Sequence, residues 1–146
     1  MAEDYTLPTR AALIKALKAD AAYTALVPKA QVYPGTVPAL PAWPFSRIGS
    51  MIASPFLASC LDSSAFRITI QAFSKGVTSG GTLQIPAEDH VMMIASAMKD
   101  ALHGKTLPLS MGDKLRLQWV QTLTMIDGGE AAAWMASVIF NGEVAG

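Results

Sequence analysis

The chain has 146 residues, 11 Lys and Arg against 11 Asp and Glu, 51% hydrophobic residues and only 15% charged ones. A chain of this length buries enough surface to fold as one domain without staples, and its single cysteine, Cys60, excludes a disulfide framework. Balanced charge argues against a dedicated nucleic-acid binder, and a charged fraction well below the usual quarter of residues points to surface that is covered by other subunits.

The first element in chain order is a helix opened by Thr6 and Pro8, with Leu13, Ile14 and Leu17 on one face and Lys15 and Lys18 turned away. The acidic start, Glu3 and Asp4, is unlike a secretion signal, and no apolar run approaches the length of a membrane-spanning helix. Asp20 is placed to cap a short second helix, Ala21 to Leu26, that Pro28 ends. Pro34, Pro38, Pro41 and Pro44 then hold the chain extended and irregular, with at most a short strand at Val32 and Tyr33.

Strands are predicted over Trp43 to Ile52 and Ala65 to Ser74. In the second, Phe66, Ile68, Ile70 and Ala72 alternate with polar residues, the mark of a sheet buried on one face. Between them lies a loop around Pro55 to Ser63. Residues 75–85 read as a flexible connection, and residues 1–7 as a flexible N-terminus. Pro86 starts the strongest helix, with Glu88 and Asp89 in its first turn, Lys99 and His103 in its last and Gly104 beyond; Val91, Ile94, Ala95, Met98 and Leu102 form its inner stripe. After a turn at Met111 to Asp113, Lys114 to Ile126 reads as a long strand with Leu115, Leu117, Trp119, Gln121, Leu123 and Met125 on one face. Asp127, Gly128 and Gly129 make a hairpin turn, and Ala131 to Phe140 returns as its partner. Trp119 and Trp134 are expected in cross-strand aromatic packing. The fold class is α+β: a single domain over residues 1–146, mostly antiparallel sheet, with two main helices packed on one face.

The residues offer little chemistry. His90 has no second metal ligand at helical spacing, and both it and His103 read as capping or surface residues. Gly76 and Gly81 have the spacing of a phosphate loop, but Thr82 stands where the lysine is needed. Gly49 and Ser50 lack the rest of a nucleophile elbow, and the only neighbouring carboxylates, Glu3 with Asp4 and Glu88 with Asp89, are adjacent positions that do not face each other on a helix. No catalytic, cofactor or metal residue is therefore assigned. The one candidate site is a contact surface: Pro55, Phe56 and Leu57, an apolar, charge-free loop segment of the kind that mediates association with another subunit.

The order of signals resembles the tail-completion or tail-terminator family of tailed phages and phage-like gene-transfer particles. It runs through Leu13 to Asp20, Ala25 to Val27, Val32 to Gly35, the strand Phe66 to Phe73, the helix end Ala101 to Gly104 and the final strand Trp134 to Phe140. The resemblance implies a small α+β subunit that is not an enzyme and needs no cofactor. It implies a homo-oligomeric ring, commonly a hexamer, that caps the tail tube, ends tail growth and joins the tail to the head connector or adaptor. The protein would reside in the virion at the head–tail interface after assembly in the host cytoplasm, without a membrane, and DNA would pass its lumen without specific binding. Alternatives are another connector component, such as a head-completion adaptor or minor tail protein, and a small-molecule binding protein or hydrolase with an unrecognised pocket.

Overall fold

A computed structural model of the protein describes residues 5–55, 63–110, 112–126 and 133–145. Helix α1 (Thr6–Ala19) begins inside the segment expected to be flexible; Tyr5, ahead of it, is buried, and no side chain at the Tyr5 cap bonds the first turn, so Thr6 is the first helical residue and not the expected cap. Thr9, Leu13 and Leu17 form its buried stripe. Helix α2 (Ala21–Leu26) is capped as its sequence predicts, the Asp20 carboxylate accepting from the Tyr23 amide at 2.8 Å. Tyr23 itself is fully buried, which pushes its hydroxyl well above the ordinary value, against a smaller opposite effect of the Ser46 hydroxyl.

A 3-10 turn leads to β1 (Val32–Tyr33), followed by β2 (Phe45–Pro55) and β3 (Ser63–Ser74). The segment expected to be a flexible connection instead forms a two-stranded ribbon, β4 (Val77–Ser79) and β5 (Thr82–Ile85). Gly80 and Gly81, both at positive φ, make the two-residue turn whose twist matches paired strands. Gly76 at the ribbon's start has φ 92°, and a Cβ there would lie 2.7 Å from the Ile85 carbonyl, so no other residue fits without a shift. Helix α3 (Ala87–Leu102) follows, then β6 (Thr106–Pro108), which its short sequence did not announce, β7 (Lys114–Ile126) and β8 (Trp134–Ala145). The expected hairpin turn at Asp127, Gly128 and Gly129 lies outside the described residues.

The main sheet has the order β1-β2-β3-β8-β7-β6, antiparallel throughout except for the parallel β1–β2 pair. This is the α+β architecture that the alternation of elements predicts. α3 lies across β3, β7 and β8, while α1 and α2 pack beside it on the same face. The core is the layer between: Val91, Ile94, Ala95, Met98 and Leu102 of α3, all nearly inaccessible, against Ile68, Ile70, Leu115, Leu117, Val138 and Phe140 of the sheet. Gly142 leaves room there, its missing Cβ lying 3.1 Å from a Leu115 methyl. No helix among the described residues is long and apolar enough to cross a membrane.

One expectation about β7 is corrected. Leu115, Leu117 and Trp119 face the core, but the register shifts between Trp119 and Gln121, where the extra residue Val120 forms a bulge. Beyond it Thr122 and Thr124 pair with the core residues Val138 and Ala136, whereas Leu123 and Met125 pair with Ser137 and Met135 on the outer face and are 46% and 40% exposed. One inserted residue reverses the face of every residue after it. The two tryptophans differ in their cross-strand partners. Trp119 is opposite Phe140 with Lys99 Nζ 3.9 Å from its ring centroid, and Trp134 is opposite Ile126.

Candidate interaction surface

All three α-helices lie on one face of the sheet, and among the described residues no helix packs on the other face. At one end it carries an aromatic cluster. Phe45 and Phe73 are opposite one another on β2 and β3 and stack at 4.7 Å with 16° between their planes. Trp43 meets Phe45 edge-on at 4.8 Å, and Tyr33 does so at 6.0 Å. These neighbours leave Phe45 and Phe73 only 6% exposed although they point away from the helices. Cations lie over the rings: Lys75 Nζ is 4.6 Å from the Trp43 centroid, and the Arg47 guanidinium is 5.6 Å from that of Phe73 while its Nε donates to Gln71 Oε1 at 2.9 Å.

The same rows continue across the sheet. Phe45 and Phe73 lead to Met135 and Met125, and Arg47 and Gln71 lead to Ser137 and Leu123. The far end is polar, with a cleft lined by Lys105, Arg116, Gln118, Asn141 and Glu143. Met92 and Met93, 45% and 43% exposed, form a separate apolar pair on the solvent side of α3. Exposed apolar side chains bounded by polar ones mark a surface suited to association. Its residues on β7 escape a strict period-2 reading; the adjacent large apolar residues Trp119 and Val120 are the local sign of the bulge that exposes them.

Of the predicted contact residues, Pro55 is the last residue of β2, paired with Ser64, while Phe56 and Leu57 lie outside the described residues. The histidines divide. His103 is exposed at the end of α3, where its Nδ1 accepts from the Trp119 amide at 2.9 Å. His90, expected at the surface or in a cap, is 3% exposed, because the first turn of α3 packs onto the end of β3. There the Ser74 hydroxyl lies 2.6 Å from His90 Nδ1 and accepts from the Gly76 amide at 2.9 Å. With the imidazole neutral, Ser74 donates to Nδ1, so the pair ties the end of β3 to α3 and to the start of the ribbon. Among the described residues no group of three or more His, Cys, Asp or Glu is placed to hold a metal. The glycines of the phosphate-loop spacing are those of the ribbon.

Burial holds the His90 imidazole below its usual pKa. The stability it contributes is therefore complete above the unfolded value of about 6.5 and is lost as pH falls toward the lower folded value. Thermal melts in matched buffers are expected to show the melting temperature of the natural protein falling below about pH 6.5 more steeply than that of His90→Gln, which keeps a polar group but cannot titrate. Equal slopes would show that His90 does not govern the acid response.

A family model described as Tail completion protein gp17 matches residues 11–138. A chain from the virion of a native gene transfer agent particle superposes with a TM-score of 0.76 at 22% identity, over 98% of this chain and 100% of that one. A second solved chain superposes with a TM-score of 0.53 at 11% identity, over 94% of this chain and 93% of its own. No curated protein sequence matches.

Proposed function

Because the chain belongs to the tail completion protein gp17 family and is thus a structural protein of phage-type tails, we propose that it forms a ring capping the tail tube, ends tail growth and joins the tail to the head connector. The observation that carries this reading is the family match across residues 11–138, which runs from within α1 through β7 and into the first residues of β8. The likeness to a chain of a gene transfer agent virion supports it at the level of the fold. The physical character of the molecule agrees. A charge-poor chain with exposed Leu123, Met125, Met92 and Met93 has surface to cover, as a subunit of an assembly does.

In this reading six copies are arranged head to tail, a geometry that closes when the rotation per subunit fits the ring. The partners are the tube protein on one side and the connector or adaptor on the other, with Pro55, Phe56 and Leu57 at a subunit or tube contact. DNA passes through the lumen without being bound, which the net charge of +0 permits. No cofactor or catalytic step is required. Assembly takes place in the host cytoplasm.

Mass photometry of the free protein and of tail-bound material, combined with gold-labelled antibody on purified tails, tests the proposal. The expected result is a ring-sized species on tails and label at their head-proximal end. Protein that is monomeric in both settings overturns the ring, and label confined to tail-free heads assigns the protein to the head side of the joint.

A further inference from the structure

β2 and β7, the two long strands nearest the edges of the main sheet, are each covered along only part of their outward side. β1 pairs with β2 at Ser46 and Arg47, and the Ile48 amide donates to the Pro34 carbonyl just beyond; among the described residues no strand pairs with this edge of β2 over residues 49–53. On the opposite side β6 pairs with Lys114, Leu115 and Arg116, and the Leu117 and Trp119 amides donate to the Lys105 carbonyl and to His103 Nδ1. Past the bulge, no strand among the described residues pairs with this edge of β7 over residues 121–126.

We infer that neighbouring copies of this chain join through these two edges, residues 121–126 of one pairing with residues 49–53 of the next. The inference rests on the ring reading above and adds the contact that builds the ring. Three features favour a second copy as the occupant. The first is direction: β2 and β7 are separated by three antiparallel steps, so β7 beside the β2 of an identically oriented neighbour continues the antiparallel alternation.

The second is stagger. The covered part of β2 is level with Thr124 of β7, through Ala72 and Ala136, and the covered part of β7 is level with Ala65 of β3, at the opposite end. Sliding the neighbour by about four residues, roughly 13 Å at strand rise, brings the two free segments together. The same slide carries the neighbour's β1 past the end of β7 and leaves β6 clear of the neighbour's β2. Each copy offers one edge of each kind, which is the condition for a repeating head-to-tail contact.

The third is chemistry. Residues 49–53 and 120–126 contain no charged side chain, whereas the covered part of β7 carries Lys114 and Arg116. An uncovered edge without charge lacks the usual guard against pairing. Five of the nine large apolar side chains exposed among the described residues sit at these edges: Leu7 and Ile52 by β2, and Leu123, Met125 and Ile126 on β7. A cleft runs along β2 from Ile48 to Met51, walled by Leu7 and Arg10 of α1 and by Pro34 and Gly35, and gives a strand a seat on that edge.

Disulfide trapping on the full-length protein tests the contact. In a Cys60→Ser background, Ser50→Cys or Ile52→Cys on β2 is combined in one chain with Gln121→Cys, Leu123→Cys or Met125→Cys on β7, all on the outer face. Arg47→Cys with Arg116→Cys, on the covered segments, serves as the control. Under oxidation of protein recovered on tails, at least one of the six pairs is expected to give a reducible ladder of linked chains that stops at the subunit number of the ring, with the control giving none. Ring-sized protein in which no pair exceeds the control overturns the edge contact and leaves the ring standing. Protein that is monomeric on tails as well as free overturns the ring and this inference together.

Discussion

Particles assembled without this protein are expected to accumulate as filled heads and unjoined tails, some of the tails longer than normal. The reason lies in the repeat of a tube. Each added subunit ring regenerates the end that it joined, so growth by an open head-to-tail contact has no internal stop and needs a different protein to occupy that end. On the proposed reading this member of the tail completion family occupies that end by binding. Negative-stain microscopy of a deletion strain, scored for tail length and attachment, checks the expectation. Purified protein added back should restore joining, while a folded Phe56→Asp variant should not, because a charge at that position opposes an apolar contact. Normal-length tails attached to heads in the deletion would refute the terminator role; full rescue by Phe56→Asp would refute only the choice of contact residue.

The largest expected loss of stability from one substitution is at Met98. Its side chain is fully buried on the inner stripe of α3, between Ile94, Ala95 and Leu102 and against the sheet. Met98→Asp removes that packing, worth about 2 to 5 kcal/mol on truncation, and adds a carboxylate with no partner among apolar neighbours. Together these approach the whole stability of a domain this size, about 5 to 15 kcal/mol, so no cooperative melt should remain. The adjacent Lys99→Asp provides the contrast. Lys99 is half-buried and holds its ammonium over the Trp119 ring, so its replacement forfeits a cation–π contact of about 0.5 to 1 kcal/mol and places a negative charge near a helix C-terminus. It should lower the melting temperature by several degrees and leave the fold intact. Similar losses in the two variants would mean that the faces of α3 are assigned wrongly.

Elements whose signals are local can be read from the residues alone. Asp20 caps α2 because a carboxylate at that spacing reaches the Tyr23 amide whatever surrounds it. The stripe of α3 and the alternation of Phe66, Ile68, Ile70 and Ala72 place the same residues in the core that their periods of 3.6 and 2 select, since one face of each element must leave water. The family resemblance was legible for a related reason: it lies in the order of such elements along the chain. Features that depend on partners distant in sequence emerge only in the folded chain. The outward turn of Leu123 and Met125 required the register of β7 against β8, because a bulge is defined by two residues facing one on another strand. His90 lies four residues before Ile94 and so shares the buried stripe of α3, but its partner, the Ser74 hydroxyl sixteen positions away, required the helix to dock on the end of β3. The extent of the open edges on β2 and β7 depended on how far β1 and β6 reach along them. Local spacing fixes a strand's faces relative to one another, but which backbone amides are left without a partner is set only when every neighbouring strand is in place.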